Sequence, residues 1–177
     1  GAPERRSGIH VRAALAGGAE TGARPTHPAT GDQRRELGDA SKALKSRNGA
    51  SRIALVGNSR GGYSIRSYIK NGGGADVSHA VLCGVPNHGV FAWDESLNSE
   101  FNGHGPFLRG LNEGDSEVTP GTAILTLRSD GIDKYAQADG RFIVQPGVRN
   151  GVAAADHGAP RPTDPGIGAN DHDATTY

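Results

Sequence analysis

The segment Arg52-Ile53-Ala54-Leu55-Val56-Gly57-Asn58-Ser59-Arg60-Gly61-Gly62 constrains the fold of this chain more than any other stretch. Ile53 to Val56 is a short apolar run of strand formers. Gly57, Ser59 and Gly61 then spell G-x-S-x-G, and Tyr63, Ile65, Arg66 and Ile69 follow at helical spacing. A strand that turns sharply into a helix at a serine lifts the hydroxyl clear of the backbone. Glycines two residues either side remove Cβ atoms that would strike the neighbouring strand or helix. The new helix also points free N–H groups at any negative charge forming beside Ser59. A G-x-S-x-G alone is a weak signal in a chain with 28 glycines. The flanking strand and helix give it weight, and a serine capping the following helix is the competing explanation.

A chain of 177 residues predicts a single domain. Hydrophobic residues make up 34%, below the usual globular share, and the deficit is concentrated at the ends. Residues 1–31 are poorly patterned, residues 32–146 can bury a core, and residues 147–177 form a Gly/Pro-rich C-terminal segment. Lys plus Arg (19) equals Asp plus Glu (19), so no net field draws the chain to nucleic acid or an anionic membrane. Cys83 is the single cysteine; it permits no internal disulfide and no cysteine-based zinc site, and its apolar surroundings predict a buried, inert thiol. No apolar run reaches membrane-spanning length. No signal peptide is visible, which is equally expected of a cytoplasmic protein and of a secreted one after processing.

The remaining pattern alternates helices and strands. Gly8 to Val11 is a possible short strand, and a helix capped by Thr30 or Asp32 runs to about Arg47, closed by Asn48-Gly49. Further strands are expected over Val77–Val85 and Ala123–Leu127, with a short helix near Pro106–Leu111. Strands that read as continuous apolar runs with helices between them predict an α/β architecture, a mostly parallel sheet with helices on both faces. In such sheets the reactive loops gather at the carboxyl ends of the strands, where Ser59, His88, Asp130 and Asp133 all fall.

Three motifs in order carry a more specific resemblance. Val56 to Gly62 is similar to the serine elbow of a bacterial lipase/esterase family of the α/β-hydrolase fold. Val77-Ser78-His79-Ala80-Val81, continuing to Gly84-Val85-Pro86-Asn87-His88-Gly89, resembles that family's V-S-H-x-V…G-x-P-x-H-G strand and loop. Leu125 to Gln137 resembles the strand and loop that carry the acid of its triad. The resemblance covers residues 30 to 146 and implies a reduced α/β-hydrolase-like fold. It implies a serine carboxylester hydrolase (esterase or lipase) working through a Ser-His-Asp triad and an acyl-enzyme, on a small-molecule or lipid ester, with no cofactor.

Within that reading Ser59 is the nucleophile, and the backbone N–H of Arg60 is one oxyanion donor. Asp133, followed by Tyr135-Ala136-Gln137, fits the acid better than Asp130, which would brace the loop as turn aspartates do. Chain order selects a base after the acid, His172 or His157; Asp171-His172-Asp173-Ala174-Thr175-Thr176-Tyr177 resembles the family's D-H-x-x-T-x-Y segment, which places His172 first. His88 and Trp93 are candidates for substrate contact, and Phe91, Phe101 and Phe107 share the segment with Trp93. No metal-ligand spacing such as H-E-x-x-H is present, and no phosphate-binding glycine motif. The alternative reading is a non-catalytic or impaired α/β-hydrolase remnant that binds a ligand or partner; acyl length and oligomeric state are not fixed by the sequence.

Overall fold

The computed structural model describes residues 10–12, 30–91, 94–114, 116–130 and 142–153. Their centre is a five-stranded sheet in which β1 (His10–Arg12), β2 (Ile53–Asn58), β3 (Val77–Cys83), β4 (Ala123–Ser129) and β5 (Val148–Ala153) stand in sequential order. Every neighbouring pair is parallel. Parallel neighbours require a crossover, and α1 (Thr30–Asn48), α2 (Arg60–Lys70) and α3 (Pro106–Asn112) lie in three of these connections. Helix α1 packs along α2, and α3 touches α2 from the far side. Crossovers of one hand between sequential strands bring their helices to one face of the sheet. The described helices therefore cluster on α2, on one face of the sheet, where the sequence pattern predicts helices on both.

The strand patterns follow from that layering. Along β2, Ile53, Leu55 and Gly57 are buried while Ala54, Val56 and Asn58 are only partly covered. Ala80 and Leu82 of β3 and Ile124 of β4 join Ile53 and Leu55 beneath α2, whose Ile65 and Ile69 complete the core with Val85, Leu108 and Leu111. Helix α2 is enclosed on most sides. Tyr63 is wholly buried, with its ring 5.6 Å from those of both Phe101 and Phe107. On the α1 side Ser64 donates to Gln33 Oε1 at 2.7 Å. This explains why α1 buries polar Gln33 on its inner face; buried Ser41 donates instead to the Leu37 carbonyl at 2.7 Å. Helix α1 ends with the Ala50 N–H donating to the Lys45 carbonyl at 3.2 Å, the closing bond of a glycine-terminated helix.

The sheet draws on both ends of the chain, with one strand before residue 32 and one after residue 146. β1 comes from the N-terminal segment and β5 from the C-terminal one. β5 was not expected at all. It carries valines at only two of its six positions, and Val152 is 52% exposed. Asn150 substitutes for apolar packing there: it accepts from the Thr126 hydroxyl and donates to the Ile143 carbonyl at 2.8 Å.

Candidate active site

The strand register sets the site. Asn58 on β2 is level with Cys83 on β3, Cys83 with Leu127 on β4, and Leu127 with Gly151 on β5. Ser59 stands one residue beyond this row, Asp130 three, and His88 five, all at the carboxyl rim. The ladder continues past the strands: the Ser59 N–H donates to the Cys83 carbonyl (2.9 Å), Gly84 N–H to Leu127 (2.9 Å), and Asp130 N–H to Ala153 (3.0 Å). The backbone on either side of Ser59 is thereby fixed. Asn58 adds a side-chain bond from Nδ2 to the same Cys83 carbonyl at 3.1 Å.

Ser59 has φ 48° and ψ −124°, and among the described residues it is the one non-glycine residue with positive φ. Such a conformation costs of order 1–3 kcal/mol and persists only where the surroundings enforce it. Two close approaches do so here. A Cβ on Gly57 would lie 2.7 Å from Ile65 Cδ1 and 2.8 Å from the Gly61 carbonyl carbon. A Cβ on Gly62 would lie 2.1 Å from Val85 Cγ2. The strand–helix crossing is thus tight at residues 57 and 62, with Gly61 supplying backbone to the first contact. Ser59 is the residue before α2, yet its side chain makes no capping hydrogen bond to the helix. Capping therefore does not account for a serine at this position. Its carbonyl accepts the Gly62 N–H at 3.0 Å.

Around the elbow the packing is polar and ordered. Arg60 donates through Nε (2.9 Å) and Nη2 (2.5 Å) to Glu100 Oε2. The Tyr63 hydroxyl donates to the Pro86 carbonyl at 2.6 Å, which holds the loop after β3, and burial pushes that phenol far above its ordinary pKa. Arg66 is buried and reaches Asn87 Oδ1 (3.2 Å), Asn112 Oδ1 (2.6 Å) and the Glu117 carbonyl (3.0 Å). Burial lowers its guanidinium to about 10, with Glu117 opposing the shift, so it is a cation at neutral pH. His88 Nε2 is 2.8 Å from Glu117 Oε1, so the carboxylate braces this histidine in its loop. Cys83 is buried, and burial pushes its thiol up. Phe101 and Phe107 pack on Tyr63 as core, whereas Phe91 is 39% exposed.

Of the residues singled out from the sequence, Ser59, Arg60, His88 and Asp130 stand at the rim. Asp133, His157, His172 and Trp93 lie outside the described residues. The Arg60–Glu100 and Arg66–Glu117 associations have no local signature in the sequence. Their only signal is the arginines themselves, on a helix that carries Tyr63, Ile65 and Ile69, and this does not say where the partners come from. Among the described residues no group of three or more His, Cys, Asp or Glu side chains could hold a metal ion, and no helix is long and apolar enough to cross a membrane.

No protein-family model matches the chain, and no curated protein matches it in sequence. Solved structures do resemble it. The product of the gene lin2722 of Listeria innocua aligns over 73% of this chain and 58% of its own, at 17% identity and a TM-score of 0.52. A candidate cell surface hydrolase from Lactobacillus plantarum WCFS1 aligns over 81% of this chain and 55% of its own, at 14% identity and a TM-score of 0.50. The chain thus spans a little over half the length of each. At these identities the likeness is one of fold, and that fold, a parallel sheet with helices in its crossovers, is α/β-hydrolase-like.

Proposed function

We propose that this chain is a serine carboxylester hydrolase. The observation that carries the reading is the backbone of Ser59, held at φ 48° and ψ −124° between a strand and a helix with its hydroxyl unused for capping. A strained, unemployed hydroxyl at a helix N-terminus is the arrangement a nucleophile needs. Ser59 attacks the ester carbonyl, and the Arg60 N–H donates to the oxygen as it becomes an oxyanion. The acyl group passes to Ser59 Oγ and the alcohol leaves with the proton taken by the base; water, deprotonated by the same base, then attacks the acyl-enzyme, releasing the carboxylic acid and returning the proton to Ser59 Oγ. The name of the Lactobacillus plantarum neighbour is in keeping with hydrolysis.

The acid comes from the loop after β4, Asp133 in preference to Asp130. β4 stands two strands from β2, roughly 10 Å at the usual spacing, which leaves room for an imidazole between acid and serine. The base comes from the segment after β5. His172 carries the family resemblance. β5 favours His157, because the strand reaches the rim at Ala153, only four residues earlier. Four residues span up to about 13–14 Å, enough to cross the roughly 10 Å from β5 to the position above β3. His157→Ala and His172→Ala, assayed side by side, identify the base as the variant that loses turnover.

Short p-nitrophenyl esters test the whole reading: Ser59→Ala should lower kcat by on the order of 10³-fold or more. Retained activity removes the serine mechanism. One observation favours the alternative of a binding module without turnover, namely that Ser59 is only 6% exposed; absence of esterase activity in the folded wild-type chain would select it.

A further inference from the structure

The Cys83 carbonyl receives donors from two consecutive residues of the elbow. The Ser59 N–H reaches it at 2.9 Å and Asn58 Nδ2 at 3.1 Å. A carbonyl can only accept, so the Asn58 amide turns its nitrogen towards Cys83. Cys83 is the last residue of β3 and the register partner of Asn58. Both donors therefore tie the chain sideways to the neighbouring strand, at the point where β2 gives way to α2.

The two faces of the sheet restrain the elbow differently. Gly57 is buried on the α2 side, where Ile65 and the Gly61 backbone leave no space for a Cβ. Side chains alternate along a strand, so Asn58 belongs to the opposite face, and it is only partly covered. On that side the amide–carbonyl bond supplies the restraint. Ser59 lies between this bond and the first turn of α2, in a backbone conformation that its surroundings must enforce. A short side chain with a donor is what position 58 calls for; an aspartate has the same shape but no donor once ionised.

Resting on the esterase reading, we propose that Asn58 is a positioning residue: its bond to the Cys83 carbonyl holds the strained Ser59 backbone in the conformation from which the hydroxyl attacks. Asn58 acts through the backbone of Ser59 and not on the reacting atoms. Without Nδ2 the elbow can relax towards an unstrained backbone, and the hydroxyl is presented less often. One neutral hydrogen bond is at stake, which sets the loss of kcat at about 3- to 10-fold. An effect on attack alone lowers kcat and leaves KM in place.

The test compares the wild-type chain with Asn58→Ala and Asn58→Asp on p-nitrophenyl butyrate and on a fluorophosphonate probe, well below the Tm of each. Both variants should keep the wild-type circular dichroism and lose kcat about 3- to 10-fold, with KM within about 2-fold of wild type. Probe uptake should slow by the same factor as kcat. Asn58→Asp, whose ionised oxygen would face the carbonyl, should be no better than Asn58→Ala. A bond that only stabilises the fold would lower Tm and leave kcat and the labelling rate of the folded chain at wild-type values. That result, or a loss carried by KM alone, overturns the role of Asn58 and leaves the esterase reading standing. If the wild-type chain neither hydrolyses the ester nor takes up the probe, both proposals fall.

Discussion

Gly62→Ala should cost stability because its Cβ has no room. That atom would sit 2.1 Å from Val85 Cγ2, 2.8 Å from Cγ1 and 3.0 Å from Cβ, against ordinary carbon contacts of about 3.5–4.0 Å. Val85 is buried, and a β-branched side chain has few rotamers into which it can retreat. Relief must come from moving α2 away from the loop after β3, which strains the turn at Ser59. Overpacking of this kind costs up to about 3 kcal/mol, and replacing a helical glycine by alanine returns up to about 1 kcal/mol. The net loss is about 2 kcal/mol, or roughly 4–8 °C in Tm for a domain of this size. Gly110 on α3 is the control, since nothing lies within 4 Å of its Cβ position and it is exposed. Gly110→Ala should be neutral or stabilise by up to about 1 kcal/mol. Thermal and urea unfolding of both variants, with Val85→Ala and the double substitution Gly62→Ala/Val85→Ala, closes the cycle. The double variant should recover a coupling of about 1–2 kcal/mol. If Gly62→Ala behaves like Gly110→Ala, or the cycle shows no coupling, the close approach of α2 to the loop after β3 is not what holds the elbow.

Three further predictions concern other parts of the molecule. Asp133→Asn should reduce kcat by on the order of 10⁴, as loss of the correct histidine tautomer does in other triads, whereas Asp130→Asn should act mainly on stability; steady-state kinetics that reverse the two would exchange their roles. Arg66→Met should destabilise by about 3–5 kcal/mol, because it strands the oxygens of Asn87, Asn112 and Glu117 in the interior, and a urea midpoint near wild type would refute that network. The hydrogen bond from Lys45, seconded by one from Tyr68 at 3.1 Å, holds the Asp76 carboxyl below its ordinary value of 3.8. A carboxyl depressed on folding contributes stability above its unfolded pKa and loses it as the pH falls through the folded one. Tm of the wild type should therefore drop below about pH 4 more steeply than Tm of Asp76→Asn, and parallel acid limbs would contradict this.

The central sheet was legible where the sequence is apolar. Ile53–Val56, Val77–Val85 and Ala123–Leu127 anticipated β2, β3 and β4, because strands covered by helices must be continuously hydrophobic. Asn48-Gly49 marked the end of α1, and Pro106 opened α3 as the first helical residue. β5 was not legible, since Val148 and Val152 are its only valines and its fit depends on Asn150 meeting Thr126 and Ile143, partners distant in sequence. The elbow was visible as a motif, but the motif named Gly57 and Gly61 as the tight positions. Gly62 proved the tighter, because its contact is with Val85, 23 residues on, and no local spacing encodes that approach. The same holds for Arg60 and Arg66. Their charges were readable, and their partners Glu100, Asn112 and Glu117 are set by how α3 and the segments on either side of it lie against α2.

The most direct test of the account is covalent. A fluorophosphonate probe reacts with an activated serine whatever the natural substrate, so it asks only whether Ser59 is a nucleophile. The folded wild-type chain should take up one equivalent, peptide mass mapping should place the adduct on Ser59, and Ser59→Ala should take up none. An unlabelled wild-type chain, or an adduct on any other residue, would contradict the assignment.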